Sequence, residues 1–445
     1  MAHGDEFANV TGTFGVTTRL IGTHQSTTLN PDGTSINFWQ PSFEGAPATS
    51  VWLSNPHMAQ ADAYGNIYIA DKASHTVLKI TPDGNIHTFA GMHVAGFNGD
   101  GPAQATSLYL NNTNGLFVFP NGTVYLLDPG NRRIRRVGTD GVMTTIVIDP
   151  EPNWYPSGRA LWVSPDEQLI YYTNEFAPVP PSIIADGAVV KKWTPQGGIE
   201  VICSKSVGFR NPGNLAVNPV DGKLYVCDRA EEDATKLEIG LWRIDGVDQR
   251  TRMTGNFNNS PAVDGQLAVN SFIDQPRGLA FFPNGAYFLC GHKDGNIWYV
   301  DTAGVIHKYI KGKGSGDSYS LQDSVHPPLT AFNNINQPRA VSLAPNGDLL
   351  VVCNDSGYVF KVNNAMTGHL PSDLKPTALG IDGLHLNWSG LFGRGYRVQR
   401  TWSLSPADWQ PIGAASGMPT GVPSTFVDAD AAGHVQGYYR LLPSL

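Results

Sequence analysis

One kind of segment recurs along this chain, and it limits the available folds more than any other feature. The clearest copy, NPHMAQADAYGNIYIADKASHTVLKITPDGNIHTFAG, runs from Asn55 to Gly91, and related stretches start at Asn111, Tyr155, Asn211, Gln275 and Gln337. Each reads as short apolar or alternating runs separated by Pro, Asn-Gly or Asp-Gly, residues that supply the tight turns of antiparallel hairpins. Helical periodicity is missing, and 49 Gly with 32 Pro in 445 residues exclude a helical bundle. A lone four-stranded sheet cannot bury both of its faces, whereas six packed radially can. The expected fold is therefore all-β: a six-bladed β-propeller of four-stranded antiparallel blades.

Such a ring must close. The sixth copy stops at Lys361-Val362, one strand short, and an orphan run, FGVTTRLIG, lies upstream of the first copy at 14–22. That N-terminal run is expected to supply the missing strand and to protect an otherwise open edge. Cys227, Cys290 and Cys353 lie 63 residues apart each time, in the contexts YVCD, FLCG and VVCN. The spacing is that of the repeat, so these are read as buried thiols rather than bridges or metal ligands.

The runs GNIYIAD, GNIHTFAG and GFNGDGPAQA, with the NP or QP start of each innermost strand, resemble the NHL-repeat β-propeller family over residues 14–362. The resemblance implies the propeller; the family includes protein- and RNA-binding modules, extracellular scaffolds and metal-dependent lyases. Residues 363–382 read as a linker. Residues 383–445 hold five strand-like runs, LHLNWSG, YRVQRTWSL, DWQPIG, STFVDAD and GYYRLLP, and resemble a fibronectin type III-like β-sandwich of the kind appended to secreted bacterial proteins. Trp388, Tyr396, Trp402, Trp409 and Tyr438 are expected to fill its core, because so small a unit needs large side chains.

In a blade whose strands alternate in direction, the start of the innermost strand and the end of the second reach the same face. His57, Asn114, Arg159, Arg277 and Arg339 each precede a turn residue by eight: Gly65, Gly122, Glu167, Gly285 and Gly347. In the fourth copy the position falls on Gly213 or Asn214, according to where an extra turn residue lies. Several guanidiniums beside an imidazole favour an anionic ligand, since Arg forks bind carboxylate, sulfate or phosphate bidentately. The second set comprises Asp71, Asp128, Asn174-Glu175, Asp228-Arg229, Gly291-His292-Lys293 and Asn354-Asp355. The three aspartates are read as bonding backbone amides in the adjoining turn. Lys293 is taken as a further ligand contact, and His57 and His292 as the acid/base candidates if the bowl is catalytic.

The expected function is an extracellular or periplasmic recognition module that binds an anionic or carbohydrate-like ligand at this mouth. A propeller lyase or hydrolase using the same bowl and a protein-interaction scaffold are the alternatives. No cofactor is expected. A zinc ion as in peptidylglycine amidating lyases would need a third ligand beside His57 and His292, and a calcium ion as in gluconolactonase-like propellers would meet repulsion from the arginines. The start, Met1-Ala2-His3-Gly4, shows no basic segment followed by an apolar one, so a signal peptide is not expected within this chain. The formal charge of −8 argues against a nucleic-acid partner, and no apolar run reaches the roughly 18 residues of a membrane span. NRRIRRV, at 131–137, is read as a solvated sheet edge, and GKGSGD, from Gly312, as a flexible connection.

Overall fold

The structure, a computed structural model, describes residues 7, 10, 14–22, 30, 35–150, 154–155, 160–176, 188–207, 209, 211–229, 239–255, 261–312, 335–364, 375–380, 382–388, 395–403, 408–416, 424–434 and 436–444. It is an all-β chain. Among the described residues up to Asn364, six antiparallel sheets follow one another along the sequence. The first is Pro56–Ala61, Ile67–Asp71, Thr76–Ile80 and Ile86–Ala90, paired in that order. The innermost strands of the other five are Leu116–Val118, Leu161–Val163, Pro212–Val217, Pro276–Phe281 and Pro338–Leu343. Each innermost strand packs against the next, and the last packs against the first, so the six enclose one channel. This is the arrangement of a β-propeller.

The second strand of a sheet is its most buried. Ile67–Asp71, Val124–Asp128, Leu224–Asp228, Tyr287–Gly291 and Leu349–Cys353 are buried at every position, because neighbouring sheets cover both faces. Burial falls off outward, and Gln249–Arg252 at the rim alternates between exposed and half-buried. The turns between first and second strands need a left-handed residue, and Gly65, Gly122, Gly285 and Gly347 supply it at φ +86° to +89°. In the third sheet Glu167 takes that conformation, at φ +58°, so the spacing of eight marks the same turn there.

The connections between sheets repeat as well. Ala48, Ala105 and Ala268, all buried, each open a short 3-10 turn and donate their N–H to Gly84, Gly141 and Gly304 on the outermost hairpin of a sheet. A larger side chain would not fit between that turn and the sheet. The ring is closed by Phe14–Ile21, which pairs antiparallel with Tyr358–Asn364 of the sixth sheet. Ser342 Oγ adds a bond to the Ala59 carbonyl of the first sheet at 2.6 Å.

Cys203, Cys227, Cys290 and Cys353 are free and buried. Burial pushes the Cys290 thiol up to about 12. It lies against Gly278, where an added Cβ would fall 2.6 Å from the Val341 nitrogen and 2.7 Å from Cys290 Sγ, so the fifth and sixth sheets meet there almost backbone to backbone.

Three sequence expectations need correction. The 131–137 strand is not a solvated edge: Arg135 is fully buried, its Nε 3.1 Å from Asp128 and its Nη1 3.6 Å from Asp100. Arg133 binds Asp100 and Arg136 binds Glu167, each at 2.6 Å, so alternation along the strand sends the cations to two different acids. The stretch read as a linker carries a strand, Lys375–Gly380, that pairs with Gly383–Trp388. Among the aromatics beyond it, Trp388 and Tyr396 do form a core with Leu386, Val398 and Leu441, whereas Trp402, Trp409 and Tyr438 lie outside it. Trp402 stacks on His434 at 3.5 Å and has the Arg400 guanidinium 4.1 Å from its ring. Residues 375–444 form two three-stranded sheets. Among the described residues no helix is long and apolar enough to cross a membrane.

Candidate functional site

The mouth of the channel is built by a backbone irregularity that repeats. Pro56 pairs with Asp71 but Met58 with Ala70; Pro276 pairs with Gly291 but Gly278 with Cys290; Pro338 pairs with Cys353 but Ala340 with Val352. In each case one residue is extra, and it is His57, Arg277 or Arg339. A bulge breaks strict alternation and re-aims the side chain it carries, here at the point where the strand leaves the loop. The residue two before each of these positions is left-handed: Asn55, Gln275 and Gln337, and likewise Asn112 before the fully buried Asn114.

The register also resolves the fourth sheet. Pro212 pairs with Asp228 and Leu215 with Val226, so Gly213 stands where Arg277 and Arg339 stand. The extra residue is in the turn, where the Asn218 N–H reaches Lys223 O while its counterpart Phe282 reaches Ala286 O one residue sooner. Asn214 is one step further along the strand, buried in the channel wall.

Two imidazoles are held in one tautomer. His57 Nδ1 lies 3.0 Å from the Asn55 carbonyl and His292 Nδ1 3.0 Å from the Gln337 carbonyl. A carbonyl only accepts, so both rings carry hydrogen on Nδ1 and present Nε2 as the basic nitrogen when neutral. For His292 that nitrogen is 3.7 Å from Asp355 Oδ2. The backbone N–H of His292 donates to Gln275 O, and Arg229 N–H likewise to Asn211 O, so Arg229 is the fourth-sheet counterpart of His292.

The guanidiniums lean on amides. Arg277, 4% exposed, donates from Nη2 to Gln275 Oε1 at 2.8 Å. Arg339 donates from Nη1 to Asn354 Oδ1 and lies 4.0 Å from Asp355. Arg229 donates to Asn211 Oδ1. Asn354 in turn donates to Asn55 Oδ1 and, at 3.1 Å, to the Pro56 carbonyl, which ties the sixth sheet to the first beside His57. His57, His292, Arg277 and Arg339 thus share one network across the first, fifth and sixth sheets. Lys293 does not join it; its side chain is exposed, and its N–H donates to Asp274 O. Arg159 lies outside the described residues.

The three second-set aspartates fasten backbone. Asp71 accepts from Ser54 N–H, Asp128 from Asn111 N–H and Asp228 from Asn211 N–H, each 17 residues back in the loop that enters the innermost strand. Burial is the main influence on Asp71 and raises it to about 6, against hydrogen bonds from Ser54 and Ser74. What the sequence reading overlooked is the supporting layer of Asn55, Asn211, Gln275 and Gln337; the Asn or Gln that starts five of the six copies was its signal. Among the described residues no three His, Cys, Asp or Glu side chains gather as a metal site, and the Asp355 carboxylate faces Arg339 and His292.

No protein-family model matches the chain. Over 269 residues, 57% of its length, it is 24% identical to a gluconolactonase of Zymomonas mobilis subsp. mobilis, and it spans 64% of that protein. Two solved structures described as auxiliary nutrient binding proteins superpose with a TM-score of 0.53. The one from Bacteroides thetaiotaomicron is 10% identical, covering 78% of this chain and 76% of its own. The other, from Bacteroides ovatus, is 13% identical, covering 79% and 77%. At such identities the likeness is one of fold, and that fold is a β-propeller.

Proposed function

We propose that the chain is an exported, six-bladed propeller of NHL-repeat type over residues 14–362, joined to a fibronectin type III-like sandwich whose first strand is Lys375–Gly380, and that it binds a small anion at the channel mouth. The observation that carries this is the pair of bulges that turn Arg277 and Arg339 to the mouth, where both donate to neutral amides. A carboxylate or sulfate held by both guanidiniums, which Gln275 and Asn354 orient, would gain charge-assisted bonds. His57 and His292 complete the recognition surface. The description of two proteins of like fold as nutrient-binding agrees with this reading.

Calorimetric titration with gluconate, citrate and sulfate tests it. Binding by the native chain that Arg277→Met and Arg339→Met each weaken tenfold or more is the expected result. Binding of none of the three would overturn it.

A second reading follows from the likeness to a gluconolactonase. In it, Nε2 of His292 takes a proton from the water that attacks a lactone carbonyl and returns it to the ring oxygen as the C–O bond to that oxygen breaks, and the arginines hold the carboxylate left when the new acid gives its remaining proton to solvent. A pH-stat assay with δ-gluconolactone decides: turnover above background that His292→Gln removes supports it, and turnover that survives the substitution sinks it.

A further inference from the structure

Three residues past the mouth positions, each of the six sheets contributes one side chain to a cavity of about 230 Å3 inside the channel: Gln60, Phe117, Trp162, Ala216, Ala280 and Ser342. The level is lopsided. Phe117 and Trp162, on the second and third sheets, meet edge to face with ring centroids 6.4 Å apart, while the fifth and sixth sheets across the ring carry only Ala280 and Ser342. The space is what the small side chains leave open. It runs on past Phe281 and Leu343, the last residues of their strands, to Pro120 and Pro345 in the turns that follow. Pro120 is exposed, so the cavity opens at the end of the channel opposite the mouth.

Among the described residues no charged side chain lines this cavity, and polar and apolar groups share its wall. The polar side chains come from three different sheets. Gln60 Oε1 accepts from Val118 N–H at 2.8 Å, which fixes the amide and leaves Nε2 as its donor end. Ser342 Oγ donates to Ala59 O at 2.6 Å and keeps its lone pairs as an acceptor. Asn214 also lines the cavity; it is 4% exposed, and among the described residues its Nδ2 has no hydrogen-bond partner. A buried amide donor without an acceptor is costly, and a guest that brings an oxygen relieves the cost.

The geometry points to a neutral monosaccharide as the occupant of this cavity, its hydroxyl groups on Gln60, Asn214 and Ser342 and one C–H face on Phe117 and Trp162. An ion would find no counter-charge in this wall, and a hydrocarbon would leave the Asn214 amide unanswered. A pyranose is polar around its edge and apolar on its two faces. The wall has the same division, with amides and a hydroxyl on the first, fourth and sixth sheets and aromatic rings on the second and third. Its volume falls below the roughly 300 Å3 at which small-molecule pockets begin, which suits one sugar ring rather than a chain of them. The site is separate from the anion site proposed at the mouth and does not depend on it.

The test is calorimetric titration of the full chain with glucose, galactose and N-acetylglucosamine, beside cyclohexanol, each with and without excess sulfate. At least one sugar should bind about tenfold more tightly than cyclohexanol, whether or not sulfate is present. Asn214→Leu, which keeps the volume and removes the lone donor, should weaken that binding about tenfold without lowering the melting temperature. Should that variant fail to fold, loss of the sugar-induced fluorescence change in Trp162→Phe takes its place. Sugar binding that both variants leave intact overturns the proposal, and so does cyclohexanol binding as tightly as the sugars. Sugar binding that sulfate abolishes puts the ligand at the mouth and overturns the channel site. Sulfate binding with no binding of any sugar sinks this inference and leaves the anion reading standing.

Discussion

Arg135 in the second sheet and Arg277 at the channel mouth are both buried, and their surroundings differ in kind. Arg135 meets Asp128 at 3.1 Å, Thr145 Oγ1 at 2.6 Å and the Gly99 carbonyl at 3.0 Å, with Asp100 at 3.6 Å. Burial lowers its guanidinium and raises the Asp128 carboxyl, so each depends on the other for its charge. Arg277 sits on a bulge and donates to the amide of Gln275. A carboxylate partner fixes an arginine as structure, because removing either charge strands the other in low dielectric. The amide of Gln275 orients the fork without neutralising its charge.

Four measurements would break or sharpen that contrast. The largest effect is expected from Asp128→Ala, which strands Arg135 and should cost about 3 to 5 kcal/mol in urea unfolding; a loss below about 1 kcal/mol would erase the distinction. Asp71 has the same place in the first sheet, with Leu78 where the second sheet has Arg135. Its folded value, about 6, is above the ordinary 3.8. The folded state therefore holds the proton more tightly, and the contribution of Asp71 is complete below about pH 4 and lost as pH rises through about 6, a swing of roughly 2 to 3 kcal/mol. Stability measured from pH 4 to 7 should flatten by that amount in Asp71→Asn, and an unchanged pH profile would show that burial does not govern this group.

At the mouth, Arg277→Met should weaken sulfate or carboxylate binding about tenfold, near 1.4 kcal/mol, while unfolding changes by no more than the roughly 1.5 kcal/mol of a hydrogen bond. The smallest effect belongs to Glu167→Gln. Its pair with Arg136 is 32% exposed on both sides, so thermal unfolding should shift by less than about 1 kcal/mol. A larger loss would mean that partial exposure does not weaken a charge pair in this sheet.

Much of the architecture was legible because it is written in short-range chemistry. Asn-Gly and Asp-Gly turns, the spacing of eight and the orphan run at 14–22 each report a local backbone requirement or an unsatisfied edge. The site was legible only in its list of positions. His57, Arg277 and Arg339 could be aligned, but the bulges that aim them, and the choice of Gly213 over Asn214, depend on pairing with a strand more than ten residues away. The burial of Arg135 was hidden for the same reason, since Asp100 comes to it from a loop and Asp128 from the end of the neighbouring strand. The strand at Lys375–Gly380 escaped notice because Pro376 and Gly380 read as linker residues, yet its partner Gly383–Trp388 pairs with it regardless.

By itself, then, the sequence determined the order of the repeated units and the placement of their turns, since these follow from periodicity and from backbone preferences of single residues. Only the tertiary structure decided which of the charged residues are occupied with one another. A charge in water is cheap wherever it lies, and its role is set by the partner it meets once burial removes the water, a partner supplied here by loops and sheets far away in the chain.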